Sequence, residues 1–207
     1  MERCEDCSPG LPELLKSSNS LNSSNSSNSS NSSPRPPAIP VIETERLKFR
    51  GHTLEDVPNV TGLWSNGEVT RYIGRPLTAE ECWARLLRYV GHWSLLGFGY
   101  WVVEERATGE FVGEVGFSDS KRELEPPLGA VEVGWVLKPA KHGLGYATEA
   151  VQAALHWRRE HFGSSPVACI IHPEHQASIR VAQKCGFTRR QIGTYKGDPV
   201  LIFDRIL

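Results

Sequence analysis

Two glycines stand one residue apart in the stretch PAKHGLGYATEA, Pro139 to Ala150, between a strand-like run and a helix-like run. A helix start leaves its first four amides without internal partners, and the helix dipole adds about half a positive charge there. Because glycine has no Cβ atom, Gly143 and Gly145 would let a phosphate reach those amides. Each amide bonded to a charged oxygen contributes about 1.5 to 3 kcal/mol, so a few of them could hold a diphosphate. The spacing therefore indicates a candidate anion site.

Two well-known nucleotide loops do not fit this junction. A dinucleotide fingerprint would need a third glycine at position 148, which is Thr148, and a Walker loop would need a Gly-Lys-Ser/Thr sequence, which is absent. A G-x-G pattern also opens helices for packing reasons alone. The elements around the junction therefore have to decide whether it binds an anion.

The periodicity of apolar residues predicts the element order β, α, α, β, β, β, α, β, α, β, β. Strands are expected at 41–50, 99–106, 110–117, 130–137, 166–171, 189–195 and 199–205, and helices at 54–64, 79–93, 144–162 and 176–185. Thr53 with Asp56, and Thr78 with Glu81, match the capping box that opens a helix. Because strands and helices are interspersed in this way, the sequence predicts an α+β domain with a mixed sheet.

The first forty residues differ in composition from the rest. Asn22 to Ser33 is a repeat of the triplet NSS, and four prolines follow within seven positions. This segment has too few apolar side chains to offset the entropy lost when the chain becomes ordered. We therefore expect a disordered, low-complexity tail over 1–40 and one folded domain over 41–207. Neither a basic-then-apolar leader nor an apolar run of about 20 residues is seen, which favours a cytoplasmic protein.

Charge and cysteine content exclude several classes of function. The formal net charge is -1, and no long block of one sign occurs, so neither a nucleic-acid nor a membrane footprint is expected. Five cysteines are an odd number at unrelated spacings, which indicates reduced thiols rather than a disulfide framework. Cys4 and Cys7 form a lone C-x-x-C motif without a second ligand pair, so we do not expect a metal there.

Four segments, in this order, resemble signature segments of the GNAT acetyltransferases, in particular the RimJ/RimL-type N-terminal acetyltransferases. They are ETERLKFRGHTLEDVPNVTGLWSNGEVTRYIG, GYWVVEERATGEFVGEVGF, VEVGWVLKPAKHGLGYATEAV and IHPEHQASIRVAQKCGF. The resemblance spans 42–188, nearly all of the predicted domain. It implies a GNAT-like fold: a mixed, mostly antiparallel sheet of about seven strands, flanked by about four helices and splayed between the fourth and fifth strands.

The resemblance also implies acetyl-CoA as co-substrate, without a metal. The diphosphate would lie on the amides of about Lys141 to Ala147, and the pantetheine arm would bond the free edge of the strand 130–137 like an added strand. The coenzyme-binding residues that it implies are Trp135, Val136, Leu137, Lys141, His142, Gly143, Leu144, Gly145, Tyr146, Ala147 and His175.

The sequence departs from the family pattern at three positions. Ala140 stands where relatives often have Gln or Arg, which matters little because the backbone does the binding. His175 stands where relatives commonly place an Asn that bonds the coenzyme arm, although an imidazole can still donate one hydrogen bond. Ala182 stands where other members carry a Tyr that protonates the thiolate, so that acid is missing.

Acetyl transfer to an amine needs a group that takes the amine proton. Glu132 is the main candidate, because it lies on the face of its strand opposite Val133 and matches the strand glutamate of the family; the alternative is that it only pairs with an arginine. Glu114 and Glu104 are weaker candidates. Ser178 matches a serine proposed as the acid in the RimL-like branch, although a serine in a first helical turn also commonly caps the helix.

Other polar and aromatic residues carry simpler explanations. No ligand spacing links His142, His172 and His175, so we expect no metal there, and Trp64, Trp83, Trp93 and Trp101 are expected in the core or the acceptor-cleft wall. The sequence thus predicts an acyltransferase that moves an acetyl group from acetyl-CoA to a primary amine in a ternary complex. The acceptor, a protein N-terminus or a small amine, stays open, as does a monomer or a homodimer. The alternative function is a coenzyme A-binding module without turnover.

Overall fold

The computed structural model describes residues 38–207, so the predicted tail, Cys4 and Cys7 lie outside the described residues. Ile39 packs against the core, and the carbonyl of Pro40 accepts a hydrogen bond of 2.9 Å from Trp101 Nε1. The packed domain therefore includes residues just ahead of the predicted start at 41.

The elements follow the predicted order, with short additions. The strands are β1 (Ile42–Glu43), β2 (Leu47–Arg50), β3 (Tyr100–Glu105), β4 (Phe111–Ser118), β5 (Leu124–Glu125), β6 (Val131–Leu137), β7 (Pro166–Ile171), β8 (Thr188–Tyr195) and β9 (Asp198–Ile206). The helices are α1 (Val57–Trp64), α2 (Gly67–Thr70), α3 (Ala79–Leu96), α4 (Tyr146–Phe162) and α5 (Gln176–Lys184), and 3-10 turns precede α1 and α4.

Within the described chain, nine strands form one sheet in the order β1-β2-β3-β4-β6-β7-β9-β8-β5. β6 and β7 run parallel, and every other neighbouring pair of that sheet is antiparallel. The predicted class, an α+β domain with a mixed, mostly antiparallel sheet, is confirmed. Both predicted capping boxes, at Thr53 and at Thr78, are also present.

Three details of the prediction are wrong. The single strand expected over 41–50 is a hairpin, because the chain turns after Glu43, where the Thr44 amide bonds the Leu47 carbonyl at 2.9 Å. The connection between the strands expected at 110–117 and 130–137 contains β5, which pairs with β8 and buries Leu124. Helix α3 continues three residues beyond Trp93 and ends at Gly97, whose φ of +70° provides the left-handed cap. The first difference is a local turn within a stretch whose residues alternate on both sides of it. The second depends on pairing with β8, which is distant in the chain.

The sheet has an apolar layer on each face. One layer lies against α4 and α5 and includes Val133, Leu137, Ala150, Val151, Ala154, Leu155, Ala182 and Phe187. The opposite layer lies against α1 and the first half of α3 and includes Val60, Leu63, Trp64, Leu86, Val102 and Val136. Strand β6 alternates its side chains between the two faces, as the sequence pattern predicted, and an apolar layer covers each face. Trp64, Trp93 and Trp101 are buried, whereas Trp83 is 39% exposed.

Strand β6 separates from β7 shortly after its start. It pairs with β4 along its whole length, from Glu132 with Ser118 to Leu137 with Gly113. It pairs with β7 only at Val131 and Glu132. The predicted splay between these strands is confirmed, and the edge of β6 from residue 133 to 137 therefore has no strand partner on the β7 side of the described sheet.

Candidate functional site

The glycine turn forms the N-terminal end of α4. Gly145 is the residue before the helix and has a φ of +83°, and Gly143 has a φ of +76°. Both values lie in the left-handed region that glycine adopts without strain. A Cβ atom at Gly143 would meet no protein atom within 4 Å. The space beside this residue is therefore open to a ligand.

Six consecutive amides in this turn are unused. Among residues 38–207, no protein acceptor bonds the N–H groups from Gly143 to Thr148, and the next amide, that of Glu149, bonds the Gly145 carbonyl at 3.1 Å. Unpaired amides at the positive end of a 17-residue helix form an environment that favours a doubly charged anion. A diphosphate therefore fits the donor set.

The unpaired donors begin two residues later than the sequence predicted. The amides of Lys141 and His142 already donate to the carbonyls of Lys138 and Pro139, at 2.9 and 3.0 Å, because these residues form the 3-10 turn ahead of the glycines. The Lys141 ammonium bonds Glu110 at 2.8 Å, and His142 Nε2 lies 3.0 Å from the Leu137 carbonyl. These two residues support the turn, and their backbone donors are not free for a ligand.

A clamp of ionic contacts holds the turn against the first strands. Arg46 bonds the Glu149 carboxylate at 2.7 Å and the Leu144 carbonyl at 2.9 Å, and Thr44 bonds Glu149 at 2.6 Å. Burial alone would raise the pKa of Glu149, but the bonds from Thr44 and Arg46 hold it below its ordinary value. The hydroxyl of Tyr146 bonds Glu105 on β3. The contacts of Thr44 and Arg46 with Glu149 could not be predicted from the sequence, because these residues are about a hundred positions apart.

The open edge of β6 leads from the turn to the interior of the splay. It carries Trp135, Val136 and Leu137, the residues expected along the coenzyme arm. Edge groups of this kind can bond an extended amide chain like an added strand. One of them, the Leu137 carbonyl, is contacted by His142, so His142 lies where the turn and the strand edge meet.

His175 is the residue just before α5. Its ring stacks on Tyr72 with centroids 4.7 Å apart, and His172 packs on the same tyrosine at 5.4 Å. Burial lowers the pKa of His175, and the neighbouring His142 and His172 lower it further. The imidazole is therefore mostly neutral near pH 7 and keeps one N–H that can donate. The sequence did not predict this contact of Tyr72, because Tyr72 and the two histidines are far apart in the chain.

Glu132 lies where β6 and β7 separate. Its side chain is largely buried and makes a two-pronged ion pair with Arg122, at 2.5 and 2.9 Å. Burial alone would lower the pKa of Arg122, but its bonds to Glu132 raise it above the ordinary value. Arg122 also bonds the Tyr195 hydroxyl at 2.9 Å. The structure thus contains the arginine partner that the sequence left open, and the base role of Glu132 stays a prediction.

The other candidate catalytic groups differ in their surroundings. Ser178 lies in the first turn of α5, is half-buried, and has no hydrogen-bond partner within the described residues, so it does not cap the helix. Glu104 pairs with Arg50 at 2.6 Å. Glu114 is fully buried between His52 Nε2 at 2.7 Å and Trp64 Nε1 at 2.6 Å. Both alternative carboxylates are therefore engaged in the packing of the domain.

Metal ligands and membrane spans are not found in the described part of the chain. Over residues 38–207, no group of three or more His, Cys, Asp or Glu side chains could hold a metal ion. In the same range, no helix has the length and apolarity needed to cross a membrane. The site consists of main-chain donors, a strand edge and a few ionisable side chains.

A splayed mixed sheet with an amide-lined glycine turn at the end of its central strand defines a class of coenzyme-binding acyltransferases. The family model described as acetyltransferase (GNAT) domain matches residues 46–188. The chain therefore belongs to the GNAT acetyltransferase family, whose members use acetyl-CoA, as the four sequence segments predicted.

Relatives and solved structures agree with this assignment. The uncharacterized protein YkkB of Bacillus subtilis is 30% identical over 53% of this chain, and the match covers 62% of YkkB, less than two thirds. The uncharacterized N-acetyltransferase YoaA of the same organism is 26% identical over 73% of this chain and 85% of its own.

Among solved structures, an acetyltransferase of Agrobacterium tumefaciens has a TM-score of 0.72 and 25% identity, over 81% of this chain and 95% of its own. RimL, a ribosomal L7/L12 alpha-N-protein acetyltransferase solved with coenzyme A, has a TM-score of 0.67 over 81% of this chain and 98% of its own. Because RimL is 19% identical, its likeness shows the fold alone.

Proposed function

We propose that this protein transfers the acetyl group of acetyl-CoA directly to a primary amine while both are bound. The observation that carries the proposal is the run of six unpaired amides from Gly143 to Thr148, placed at the end of an open strand edge. The first feature suits a diphosphate and the second suits the amides of a pantetheine arm. Membership of the GNAT family supports the same assignment of the diphosphate and the pantetheine arm.

In the proposed complex, the coenzyme diphosphate bonds the amides of the glycine turn. The arm then follows Leu137, Val136 and Trp135 into the splay, where His175 donates a hydrogen bond from its neutral ring. This direction brings the thioester between the open part of β6 and the start of α5. Glu132 lies two residues before Gly134 on the same strand, on the side of the sheet covered by α1 and α3.

The acceptor must lose a proton when its nitrogen attacks the thioester. About a tenth to a fifth of α-amines are neutral near pH 7, against fewer than about one in a thousand lysine side chains, so an α-amine needs less help. We assign Glu132 as the group that takes the proton, directly or through a water. Arg122 holds both carboxylate oxygens in place, and further lone pairs of the carboxylate can still accept a bond.

The leaving thiolate also needs a proton. Ala182, which stands where other members have a tyrosine, is completely buried in the core and offers none. Ser178 is half-buried at the start of α5, and its hydroxyl makes no hydrogen bond within the described structure. We therefore assign the thiolate proton to Ser178 or to a water.

A screen of possible amine acceptors tests this function. Purified protein is incubated with acetyl-CoA and a panel that contains peptides with different N-termini, free amino acids, polyamines and aminoglycosides, and products are detected by the mass of one added acetyl group. Release of free coenzyme A, measured with a thiol reagent, must match the product. Protein that binds no acetyl-CoA, or that forms no acetylated product with any amine, would disprove the proposal.

A coenzyme-binding module without turnover is the second candidate. The two-pronged Glu132–Arg122 ion pair and the buried Ala182 favour it, since both reduce the groups free for proton transfer. Calorimetric binding of acetyl-CoA with no product over hours would support this alternative. A single acetylated acceptor would exclude it.

A further inference from the structure

The hydroxyl of Tyr100 lies directly over the backbone of Gly134 in β6. Tyr100 is the first residue of β3, and a Cβ atom built on Gly134 would lie 2.0 Å from its Oη and 3.2 Å from its Cζ. The backbone of Gly134 is not in the left-handed region, so its conformation would accept other residues. The close approach of Tyr100 is what excludes a side chain at position 134.

The ring of Tyr100 is fixed while its hydroxyl is unpaired. The ring stacks on Tyr89 with centroids 4.3 Å apart and planes 12° apart, and Trp93 Nε1 bonds the Tyr100 carbonyl at 2.9 Å. The Tyr89 hydroxyl accepts a bond of 3.1 Å from Arg85. In contrast, no hydrogen bond to the Tyr100 hydroxyl is found among residues 38–207, and the residue keeps 8% of its surface exposed. A rigid phenol with a free hydroxyl can bond a ligand without reorganising.

The position of this hydroxyl matches the proposed point of transfer. Gly134 lies between Glu132 and Val136 on one face of β6, at the second position beyond the last pair with β7. A thioester that enters through the splay would reach this face next to the hydroxyl. Glu132, two residues before Gly134, lies on the same face of the strand and holds Arg122 beside it.

The phenol keeps its proton at neutral pH. Burial raises the pKa of Tyr100 well above its ordinary value, and the neighbouring Tyr89 and Glu132 raise it further. A group of this kind is a poor proton source but a permanent hydrogen-bond donor. It therefore suits stabilisation of a developing negative charge rather than proton transfer.

We propose that Tyr100 is a catalytic residue whose hydroxyl donates a hydrogen bond to the thioester carbonyl oxygen as negative charge develops there. The inference rests on the proposed function and adds a residue to it. The amine nitrogen bonds the carbonyl carbon, the carbon–sulfur bond breaks, the amine proton goes to Glu132 or water, and the thiolate takes a proton from Ser178 or water. Tyr100 keeps its own proton throughout.

Tyr100→Phe removes only the hydroxyl and tests the assignment. We expect kcat to fall about 100-fold, which is typical for loss of one such donor. The coenzyme Kd and the melting temperature should stay at the wild-type values, since the ring and its stack on Tyr89 remain. Tyr89→Phe is the matched control, because it removes a hydroxyl from the same stack that is bonded to Arg85; its kcat should stay near wild type.

A double-mutant cycle with Gly134→Ala separates this role from general packing. The added methyl group would displace the Tyr100 hydroxyl, so Gly134→Ala alone should lower kcat nearly as much as Tyr100→Phe. In the Tyr100→Phe background, where the colliding oxygen is absent, the same methyl group should lower kcat far less. Independent, multiplying effects of the two changes would overturn the inference.

Infrared difference spectra of bound acetyl-CoA give a readout that does not depend on turnover. The hydrogen bond should move the thioester carbonyl stretch to lower frequency in the wild type than in Tyr100→Phe. If wild type turns over and Tyr100→Phe matches it in kcat, or in carbonyl frequency, the role of Tyr100 is excluded while the proposed function stands. If wild type binds coenzyme and acetylates nothing, the proposed function fails, and this inference fails with it.

Discussion

Replacing Gly143 by valine should strongly weaken coenzyme binding while leaving the fold intact. Gly143 has a φ of +76°, and open space surrounds its missing Cβ, so the valine would not collide with the protein. Its branched side chain would instead fill the space where the diphosphate is proposed to lie. The left-handed backbone would also become strained, by about 1 to 2 kcal/mol.

The size of the effect follows from the amides that the valine would cover. Each amide bonded to a charged oxygen is worth about 1.5 to 3 kcal/mol, so losing two of them costs about 3 to 6 kcal/mol. At about 1.4 kcal/mol for each tenfold change, the Kd for coenzyme A should rise by about 10² to 10⁴-fold. Isothermal titration calorimetry measures this change, and thermal unfolding measures the cost to the fold.

Gly197→Val is the matched control for backbone strain. Gly197 lies in the turn between β8 and β9 and has a φ of +90°, and a Cβ atom at this position would also meet no protein atom within 4 Å. Gly197→Val should lose a similar amount of stability and bind coenzyme A as wild type does. Equal coenzyme affinity in Gly143→Val and Gly197→Val would refute the assignment of the glycine turn.

Three further predictions concern side chains of the domain. Glu132→Gln should lower turnover more than about tenfold with coenzyme affinity nearly unchanged, because it removes the proposed proton acceptor and not a coenzyme contact; steady-state kinetics and calorimetry measure the two effects. His175→Ala should weaken coenzyme binding about three- to tenfold, the value of one neutral hydrogen bond, whereas His175→Asn should retain it, as calorimetry will show. Asp56→Asn should destabilise the domain by about 3 kcal/mol in urea unfolding, because the nearly inaccessible Asp56 accepts bonds of 2.7 and 2.8 Å from Arg50.

Two of these substitutions should change how the stability of the domain depends on pH. Burial alone would raise the pKa of Asp56, but Arg50 and Thr53 hold it below its ordinary value. Its contribution is therefore present above about pH 4 and is lost as the pH falls through the lowered pKa. Burial lowers the pKa of His175 in the folded state. As the pH falls below about 6.5, the unfolded chain therefore takes up the His175 proton first, and the free energy of unfolding decreases. Asp56→Asn and His175→Ala should not show the corresponding loss of folding stability at low pH.

Controls and contrary results are available for each change. Glu104→Gln removes a carboxylate that is also paired with an arginine, Arg50, but lies on β3, so its turnover should exceed that of Glu132→Gln. Equal turnover in Glu132→Gln and wild type would remove Glu132 from the mechanism. Coenzyme affinity unchanged in His175→Ala would place His175 outside the coenzyme site. A stability of Asp56→Asn that follows the wild-type curve down to about pH 3 would contradict the role of the Asp56–Arg50 pair.

Local signals predicted the fold and the glycine turn. The helix caps at Thr53 and Thr78 and the change of apolar period after Leu144 depend on residues close together in the chain. Such signals can be recognised in a sequence because they depend on residue types at short, fixed spacings. The splay of β6 from β7 followed instead from the family resemblance, because no local pattern states where two strands separate.

Contacts between distant segments could not be predicted. The clamp between Arg46 and Glu149 joins residues 103 positions apart, and the partner of Glu132, Arg122, lies in a loop without periodicity. The turn after Glu43 was hidden because alternating residues on both sides of it look like one strand. For Tyr100, the glycine opposite it was the one available signal, since Gly134 interrupts an otherwise bulky strand.

The amides of the glycine turn form the proposed coenzyme site, on which the proposed function depends. The most direct test is an amide NMR titration of the uniformly labelled protein with coenzyme A. We expect the resonances of Gly143 to Thr148 to shift most, and hydrogen exchange at these amides to slow when the ligand is bound. Unchanged resonances for these residues, with the largest shifts elsewhere in the chain, would contradict this assignment.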